Sequence, residues 1–139
     1  MWVTTHFFAG AALAGGLRPR LAPWAGITSH AVLDAVPHWD YTRDSRRRYW
    51  AALDVATTTV ALLGLLGTGR INRKQAVGGL AGALPDLDVL GAVLPVPDAP
   101  RLFPSHLRGF PHGRAGMKKG ILVQLGLVFV ALGTMRTRS

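Results

Sequence analysis

Apolar and basic stretches alternate along the chain, and this alternation predicts its helices. The apolar segments are rich in Ala, Leu and Gly, and Arg, Lys and Pro fill the stretches between them. No segment alternates with a period of two, as a half-buried strand would. We therefore predict an all-α fold, a compact helical bundle that forms a single domain over residues 1–139. Its five short apolar helices are predicted at about 2–17, 22–36, 50–69, 75–93 and 120–135.

The composition favours association with a membrane. The 139 residues are 49% hydrophobic and only 17% charged, so there is less polar surface than in an average soluble domain. Segment 120–135 has no charged residue, but its length of roughly 24 Å falls short of the ~30 Å hydrocarbon core of a bilayer. It spans a bilayer only if the flanking Lys and Arg side chains snorkel. Two interpretations stay open: an integral or peripheral membrane protein, or a soluble bundle with buried helices.

The charges indicate lipid rather than nucleic acid as a partner. Sixteen Lys and Arg residues outnumber seven acids, all of them Asp. The basic residues are spread over every stretch between the apolar segments, which suits anionic lipid headgroups and lacks the clustering of a nucleic-acid-binding face. Because every stretch is basic, the charges predict no membrane orientation. The chain has no Cys, so any metal must be held by nitrogen and oxygen.

The most informative motif is Ser29-His30-Ala-Val-Leu-Asp34, followed by Pro37-His38-Trp-Asp40. His30 and Asp34 are one helical turn apart on the same face, a spacing at which one helix offers two metal ligands. A related run, Gly82 to Asp88, repeats the pattern of Pro, a ligand-type residue, a bulky residue and Asp. Proline disfavours helical geometry in the residue before it.

We therefore expect both runs to be extended after the proline. In an extended stretch, residues two apart point the same way, so His38 would lie beside Asp40 and Asp86 beside Asp88. Each pair would then be a chelating arm. Two adjacent carboxylates also favour a cation between them, because their repulsion otherwise raises one pKa.

Other polar residues extend this set. His6 lies in an otherwise apolar helix, and Asp54 lies near the start of the third apolar segment, where a buried carboxylate needs a cation or a donor. A late Gly/Pro loop supplies two more histidines and two arginines that would bind an anionic substrate. The predicted metal ligands are His6, His30, Asp34, His38, Asp40, Asp54, Asp86, Asp88, His106 and His112, and the predicted substrate-binding residues are Arg108 and Arg114.

Ten ligands are too many for one ion, because zinc takes about four. The set predicts a divalent metal centre of two or three ions. The mixture of imidazole and carboxylate suits Zn best, with Mn, Fe or Mg as alternatives.

The order of these motifs resembles the small bacterial membrane-bound metal-dependent hydrolases, and more distantly the zinc-dependent phospholipase C fold. The resemblance runs from about residue 6 to residue 112. It departs from the family at Val89, where many relatives have His, and in the late loop, which lacks the usual hydroxyl residues. The resemblance implies a polymetal centre on helices, hydrolysis of phosphate esters, and an integral or peripheral location at the cytoplasmic (inner) membrane of a bacterium.

These observations predict a membrane-associated hydrolase that cleaves phosphoesters with metal-activated water. Asp34 or Asp40 would serve as the catalytic base if no ion binds it. An alternative is a non-catalytic, metal-stabilised helical membrane protein in which the same residues hold the helices together. A third is a membrane protein that moves ions or small solutes along an Asp and His path. The oligomeric state stays open.

Overall fold

The computed structural model of the chain describes residues 1–88, 102–107 and 109–136, and within these ranges it contains helices and turns but no strand. The all-α prediction is therefore confirmed for the described residues. Four short 3-10 turns lie between the helices of the described part of the chain. The helices are α1 (Val3–Gly15), α2 (Ala22–Asp34), α3 (Arg47–Gly67), α4 (Arg73–Ala83) and α5 (Met117–Arg136).

Helices α1, α2 and α4 pack against one another through very small residues. A Cβ atom at Gly82 would lie 2.6 Å from the carbonyl oxygen of His6, and one at Gly26 would lie 2.7 Å from the backbone nitrogen of Gly82. Only glycine permits such an approach of two backbones. Helix α1 runs antiparallel to α4, because His6 meets Gly82 while Gly15 meets Gln75 at the other end.

Helix α2 runs parallel to α4. Gly26 lies against Gly78, and one turn later His30 bonds to the carbonyl oxygen of Gly82. The C-terminal ends of α2 and α4 therefore meet the N-terminal end of α1. This end of the bundle carries most of the predicted ligands.

Helices α3 and α5 complete the bundle on the other side of α1. Helix α3 begins at the ligand end, where Asp54 bonds to the start of α1. Helix α5 also begins there, because Gly120 packs against Trp39. Its last turns reach the opposite end, where Met135 joins a hydrophobic cluster with Ile71. Successive helices therefore alternate in direction from α1 to α4, and α5 again runs away from the ligand end.

Among the residues that the structure describes, two helices are long and apolar enough to cross a membrane by length and composition. These are Arg47–Gly67, with a mean hydropathy of 1.5, and Met117–Met135, with a mean hydropathy of 1.4. Only 17% of each span is buried in the bundle. Helix α5 begins at Met117, three residues before the predicted start, and its 20 residues reach about 30 Å.

Candidate metal centre

Asp34, the last residue of α2, is completely buried, and four of the five predicted histidine ligands converge on it. Its Oδ1 atom lies 3.3 Å from His6 Nε2, and its Oδ2 atom lies 3.1 Å from His30 Nε2. Oδ2 also lies 3.5 Å from His106 Nε2 and 4.0 Å from His112 Nδ1. One carboxylate is therefore surrounded by four imidazole rings.

The rings of His30 and His38 are oriented by backbone carbonyl groups. His30 Nδ1 donates to the carbonyl oxygen of Gly82, and His38 Nδ1 donates to that of Val36, both at 2.8 Å. Because a carbonyl oxygen only accepts, the neutral rings carry their proton on Nδ1 and keep a lone pair on Nε2. Metal-binding histidines are commonly oriented in this way. Both Nε2 atoms are thus suited to bind a cation.

A loop before α5 is attached to the C-terminal end of α2, and this attachment brings His112 to the site. The backbone N–H of Gly113 donates to the carbonyl oxygen of Asp34 at 2.7 Å, and that of Ala115 donates to His38 at 2.9 Å. A Cβ atom at Gly113 would collide with the backbone at the end of α2, so glycine is required there. His112 therefore lies beside His38, with 4.8 Å between the ring centroids.

The deep end of the site is formed by His6, His30 and Asp86, none of which is more than 9% exposed. The rings of His6 and His30 stack with their centroids 3.7 Å apart. The amino group of Met1 lies 3.3 Å from Asp34 Oδ1 at this end. Burial lowers the pKa of His6 well below its usual value and raises the pKa of Asp86 to about 6. Burial alone thus favours the neutral forms, which a bound cation would reverse at Asp86.

Charge and burial act in opposite directions on Asp34. Burial alone would raise the pKa of its carboxyl group, but the contacts with His106, His30 and His6 hold that pKa well below its usual range. For His30, burial lowers the pKa, while Asp34 and Asp86 raise it by more, so the pKa lies above its usual value. A carboxylate with so low a pKa is a poor proton acceptor. The geometry therefore favours Asp34 as a ligand over its predicted role as a base.

At the shallower end, burial lowers the pKa of His38 to about 4 and also lowers that of His112. Both rings are therefore neutral near pH 7, which is the form that binds a metal. The side chain of His112 is 26% exposed. The site thus opens to its surroundings at His112.

Several buried ligand atoms have no hydrogen-bond partner among the described residues. They are both ring nitrogens of His6, Oδ2 of Asp34, Nε2 of His38 and Oδ2 of Asp86. Buried polar atoms are nearly always hydrogen-bonded, because each unsatisfied one is unfavourable by about 1–3 kcal/mol. All of these atoms are of the type that bind divalent transition metals. The residues present therefore fit a metal centre.

The described ligands form three overlapping groups. In each group the three ligand atoms lie within 4.8 Å of one another. His30 belongs to two of the groups and so does Asp34, which indicates a row of adjacent positions from the deep end to the open end. The predicted number of two or three ions stays a prediction. The groups are His6, His30 and Asp86; His30, Asp34 and His106; and Asp34, His38 and His112.

The expectation that Asp86 and Asp88 form an extended chelating arm is wrong. Leu84–Asp86 is a turn of 3-10 helix with Pro85 in its first turn. A proline there suits a helical turn, because its fixed φ is already helical and its missing N–H would have no partner. The two carboxylates consequently contact different residues, and only Asp86 belongs to one of the three groups.

Asp88 contacts the site through His106. Its Oδ2 atom accepts the backbone N–H groups of Leu102 and Phe103 at 2.8 and 2.7 Å. The same atom lies 3.6 Å from His106 Nδ1, on the side of the ring away from Asp34. Asp88 is therefore placed to orient His106 rather than to bind an ion with His30 and Asp34.

Asp54 lies in α3, and its carboxylate is bound to the N-terminal end of α1. Its oxygens accept the backbone N–H groups of Val3 and Thr4 at 2.8 and 3.0 Å, and the hydroxyl groups of Thr4 and Tyr41 at 2.6 and 3.2 Å. The free N–H groups at the start of a helix favour a negative charge. Asp54 is therefore outside the three groups. It holds α1, and with it His6, in position.

Three other predicted residues lie at the edge of the site or outside the described residues. Asp40 accepts the backbone N–H of Thr42 at 2.9 Å and caps a 3-10 turn, and it belongs to none of the three groups. Arg114 is exposed and follows His112 by two residues, at the open end. Arg108 lies outside the described residues, so its role stays a prediction.

The glycines of α4 also shape the site, although the sequence analysis did not identify them as functional residues. Gly82 supplies the carbonyl oxygen that orients His30, and its missing side chain lets α1 bring His6 close. Gly78 and Gly82 are four residues apart and lie on one face of the helix, a spacing typical of close helix packing. That spacing is visible in the sequence.

In comparisons with protein-family models, curated proteins and solved structures, no match to this chain was found. The resemblance to the metal-dependent hydrolases therefore stays a prediction. The function has to be inferred from the geometry of the site.

Proposed function

We propose that this chain is a membrane-associated, metal-dependent hydrolase that acts on phosphoesters. The observation that carries the proposal is the buried carboxylate of Asp34 among four imidazole rings, with neighbouring ligand atoms that have no hydrogen-bond partner in the described residues. Zinc suits this donor set best, with Mn, Fe and Mg as alternatives. The residues that would hold the metal are His6, His30, Asp34, His38, Asp86, His106 and His112.

When bound, divalent cations supply a Lewis acid that polarises a phosphoryl oxygen and lowers the pKa of water. The residues of the chain would hold the cations and attract the substrate. The two oxygens of Asp34 face different imidazoles, so this residue can serve neighbouring positions at once. Arg114, which is exposed and follows His112 by two residues, would attract the negative charge of a phosphoester. No Ser or Cys nucleophile is needed.

The open end of the site favours an enzyme over a purely structural centre. A structural zinc site is closed by protein ligands, whereas a catalytic site keeps a position for water or substrate. The partial exposure of His112 provides access to such a position. The alternative is a non-catalytic, metal-stabilised membrane protein. It is supported by the origin of the ligands in α1, α2 and the turn after α4, because a cation at the deep end would connect all three elements.

Membrane association is supported by α3 and α5. Each is about 30 Å long, which matches the hydrocarbon core of a bilayer. Only 17% of each span is buried, so these helices are not the buried core of the bundle. Basic residues such as Lys118 and Lys119 at the start of α5 suit lipid headgroups.

The test is a combined metal and activity measurement on the full chain in detergent micelles. The wild-type protein, purified without chelator and supplemented with Zn, Mn or Fe, should retain metal and hydrolyse bis-p-nitrophenyl phosphate. Asp34→Asn should lose both metal and activity, while Asp44→Asn, a change of the same type at a surface ion pair with Arg46, should keep both. A wild-type protein that retains metal but does not hydrolyse any phosphoester offered would support the structural alternative. A wild-type protein without metal would contradict both.

A further inference from the structure

A cavity of about 320 Å³ lies between α1, α3 and α5. Thr4 and Phe8 line it, and at 3.6 residues per turn they lie on nearly the opposite face of α1 from His6. Its volume is at the low end of the range for small-molecule sites. Leu53 and Leu125 line it from α3 and α5 and are 46% and 53% exposed, so the cavity reaches the surface between these two helices.

Most of the wall is apolar, but three of its buried polar atoms have no hydrogen-bond partner in the described residues. These are the indole Nε1 atoms of Trp2 and Trp50 and the hydroxyl of Thr5, a residue only 1% exposed. Other polar groups of the wall are paired. Asp54 accepts four hydrogen bonds, and the hydroxyl of Thr57 donates to a backbone carbonyl group of its own helix. Residues that line the cavity therefore carry unpaired donors.

The charge of the wall selects the kind of acceptor. An indole N–H can only donate a hydrogen bond, so the ligand must bring an acceptor oxygen. None of the described wall residues is Lys or Arg, while the carboxylate of Asp54 is among them. An anion would meet the negative charge of Asp54 in an apolar surrounding, with no Lys or Arg among the described wall residues to offset the repulsion. The wall therefore suits a neutral oxygen, such as an ester carbonyl, on a long apolar body.

We propose that this cavity binds one acyl chain of an ester-linked membrane lipid, with the ester carbonyl at the donors of Trp2, Trp50 and Thr5. The two helices that border its opening are those apolar enough to span a membrane, so a lipid reaches the opening from within the bilayer. The site rests on the membrane association proposed above and does not require the metal centre.

The test uses the full chain, delipidated in detergent and incubated with micelles that contain palmitoyl-oleoyl-phosphatidylcholine. After gel filtration, bound phosphatidylcholine and bound zinc are measured in the same sample. Ala61→Trp fills the cavity from α3, while Val60→Trp places the same side chain on the neighbouring residue, which is 72% exposed. We expect about one lipid per chain for the wild type and Val60→Trp and a loss of at least about fivefold for Ala61→Trp. Equal retention by the two tryptophan variants would overturn the proposal.

A second pair of variants tests the donors without changing the volume. Thr5→Val removes an unpaired hydroxyl and should weaken phosphatidylcholine binding roughly three- to tenfold, as expected for the loss of one hydrogen bond. Thr57→Val removes a paired hydroxyl of the same wall and should leave binding unchanged. This pair decides the question if Ala61→Trp does not fold.

Oleate, offered at the same concentration, distinguishes an anion from a neutral ester. It should bind more weakly than phosphatidylcholine, and stronger binding would overturn the assignment of an ester carbonyl. The zinc measurement separates the two proposals. A wild-type chain that binds lipid but no zinc would contradict the proposed hydrolase alone, and one that binds zinc but no lipid would contradict the lipid site alone.

Discussion

The helices on the two sides of α1 have similarly apolar sequences but pack in opposite ways. On one side, a Cβ atom at Gly26 or Gly78 would collide with the backbone or a side chain of a neighbouring helix. On the other side, a Cβ atom at Gly64, Gly126 or Gly133 would meet nothing within 4 Å. Helices α1, α2 and α4 thus form a closely packed group, while α3 and α5 present most of their residues to the surroundings.

The small residues of α1, α2 and α4 allow these helices to approach one another closely. Where backbones approach closely, polar side chains from α1, α2 and the turn after α4 reach one buried place. In α3 and α5, large residues such as Val60 and Phe129 are 72% and 79% exposed, which suits contact with lipid tails. Apolar composition is common to both regions, so packing rather than composition distinguishes them.

The largest expected effect comes from adding one methyl group to the closely packed group. Gly26→Ala should destabilise the protein by about 3 kcal/mol or more, because its Cβ would collide with backbone atoms of α4 that have no room to move. Gly64→Ala in α3 should be neutral or stabilising by up to about 1 kcal/mol. Chemical denaturation in detergent micelles measures both. Similar values for the two variants would mean that the packing contrast is wrong.

Asp86→Asn tests the deep end of the metal centre through its pH dependence. Because burial raises the pKa of Asp86 to about 6, the metal-free chain loses stability as the pH rises from about 4 to about 6, and the penalty persists above that range. At pH ~8 the metal-free variant should therefore be more stable than the metal-free wild type, by up to about 3 kcal/mol.

Two controls accompany that measurement. Below about pH 3 the difference between the metal-free proteins should become small, because Asp86 is then protonated in both the folded and the unfolded chain. With zinc bound at pH ~8 the order should reverse, since the carboxylate then has a cation beside it. Melting temperatures followed by tryptophan fluorescence test all conditions. A variant that is less stable than wild type in every one of them would contradict a cation position at Asp86.

Asp54→Asn should weaken the attachment of α3 to the N-terminal end of α1. An amide in place of the carboxylate cannot accept all four hydrogen bonds, so at least one buried donor at the start of α1 loses its partner. We expect a destabilisation of about 2 kcal/mol together with weaker zinc binding, since His6 lies in the same helix. Calorimetric zinc titration and denaturation measure the two effects. If Asp54 were itself a ligand, Asp54→Asn would abolish zinc binding without lowering the stability of the metal-free protein.

The smallest effect is expected for Asp88→Asn, which changes only the partner of His106. Removing a residue that orients a metal ligand typically weakens metal affinity about 10- to 100-fold, and an amide that still accepts one hydrogen bond should give about tenfold. Competition with a zinc-binding dye gives the affinity, and Asp44→Asn is the control. A loss as complete as that of Asp34→Asn would show that Asp88 binds the ion directly.

The part of the site that follows from helical periodicity could be predicted from the sequence. His30 and Asp34 are one turn apart, so their shared face is a local property of α2. The position of His112 depends instead on backbone hydrogen bonds from Gly113 and Ala115 to residues far away in the sequence. No spacing in the chain encodes that pairing.

The predictions for Asp54 and for the run after Pro85 failed because one sequence pattern is compatible with two structures. A buried carboxylate in an apolar helix has the same sequence pattern whether it binds a cation or the N-terminal end of another helix, and Asp54 does the latter. Pro85 illustrates a second ambiguity, because a proline disfavours helix in the residue before it and yet suits the first turn of a helix. The structure has the second arrangement, which separates the contacts of Asp86 from those of Asp88.

The alternating directions of the helices give the proposed enzyme a sidedness. All ligands around Asp34 lie at one end of the bundle, and α3, at about 31 Å, carries the chain from this end to the other. If α3 crosses the bilayer, every residue of the proposed metal centre faces the same compartment. Phosphoesters would then be cleaved on that side alone, and in sealed vesicles the molecules that face inward would stay latent until the membrane is made permeable.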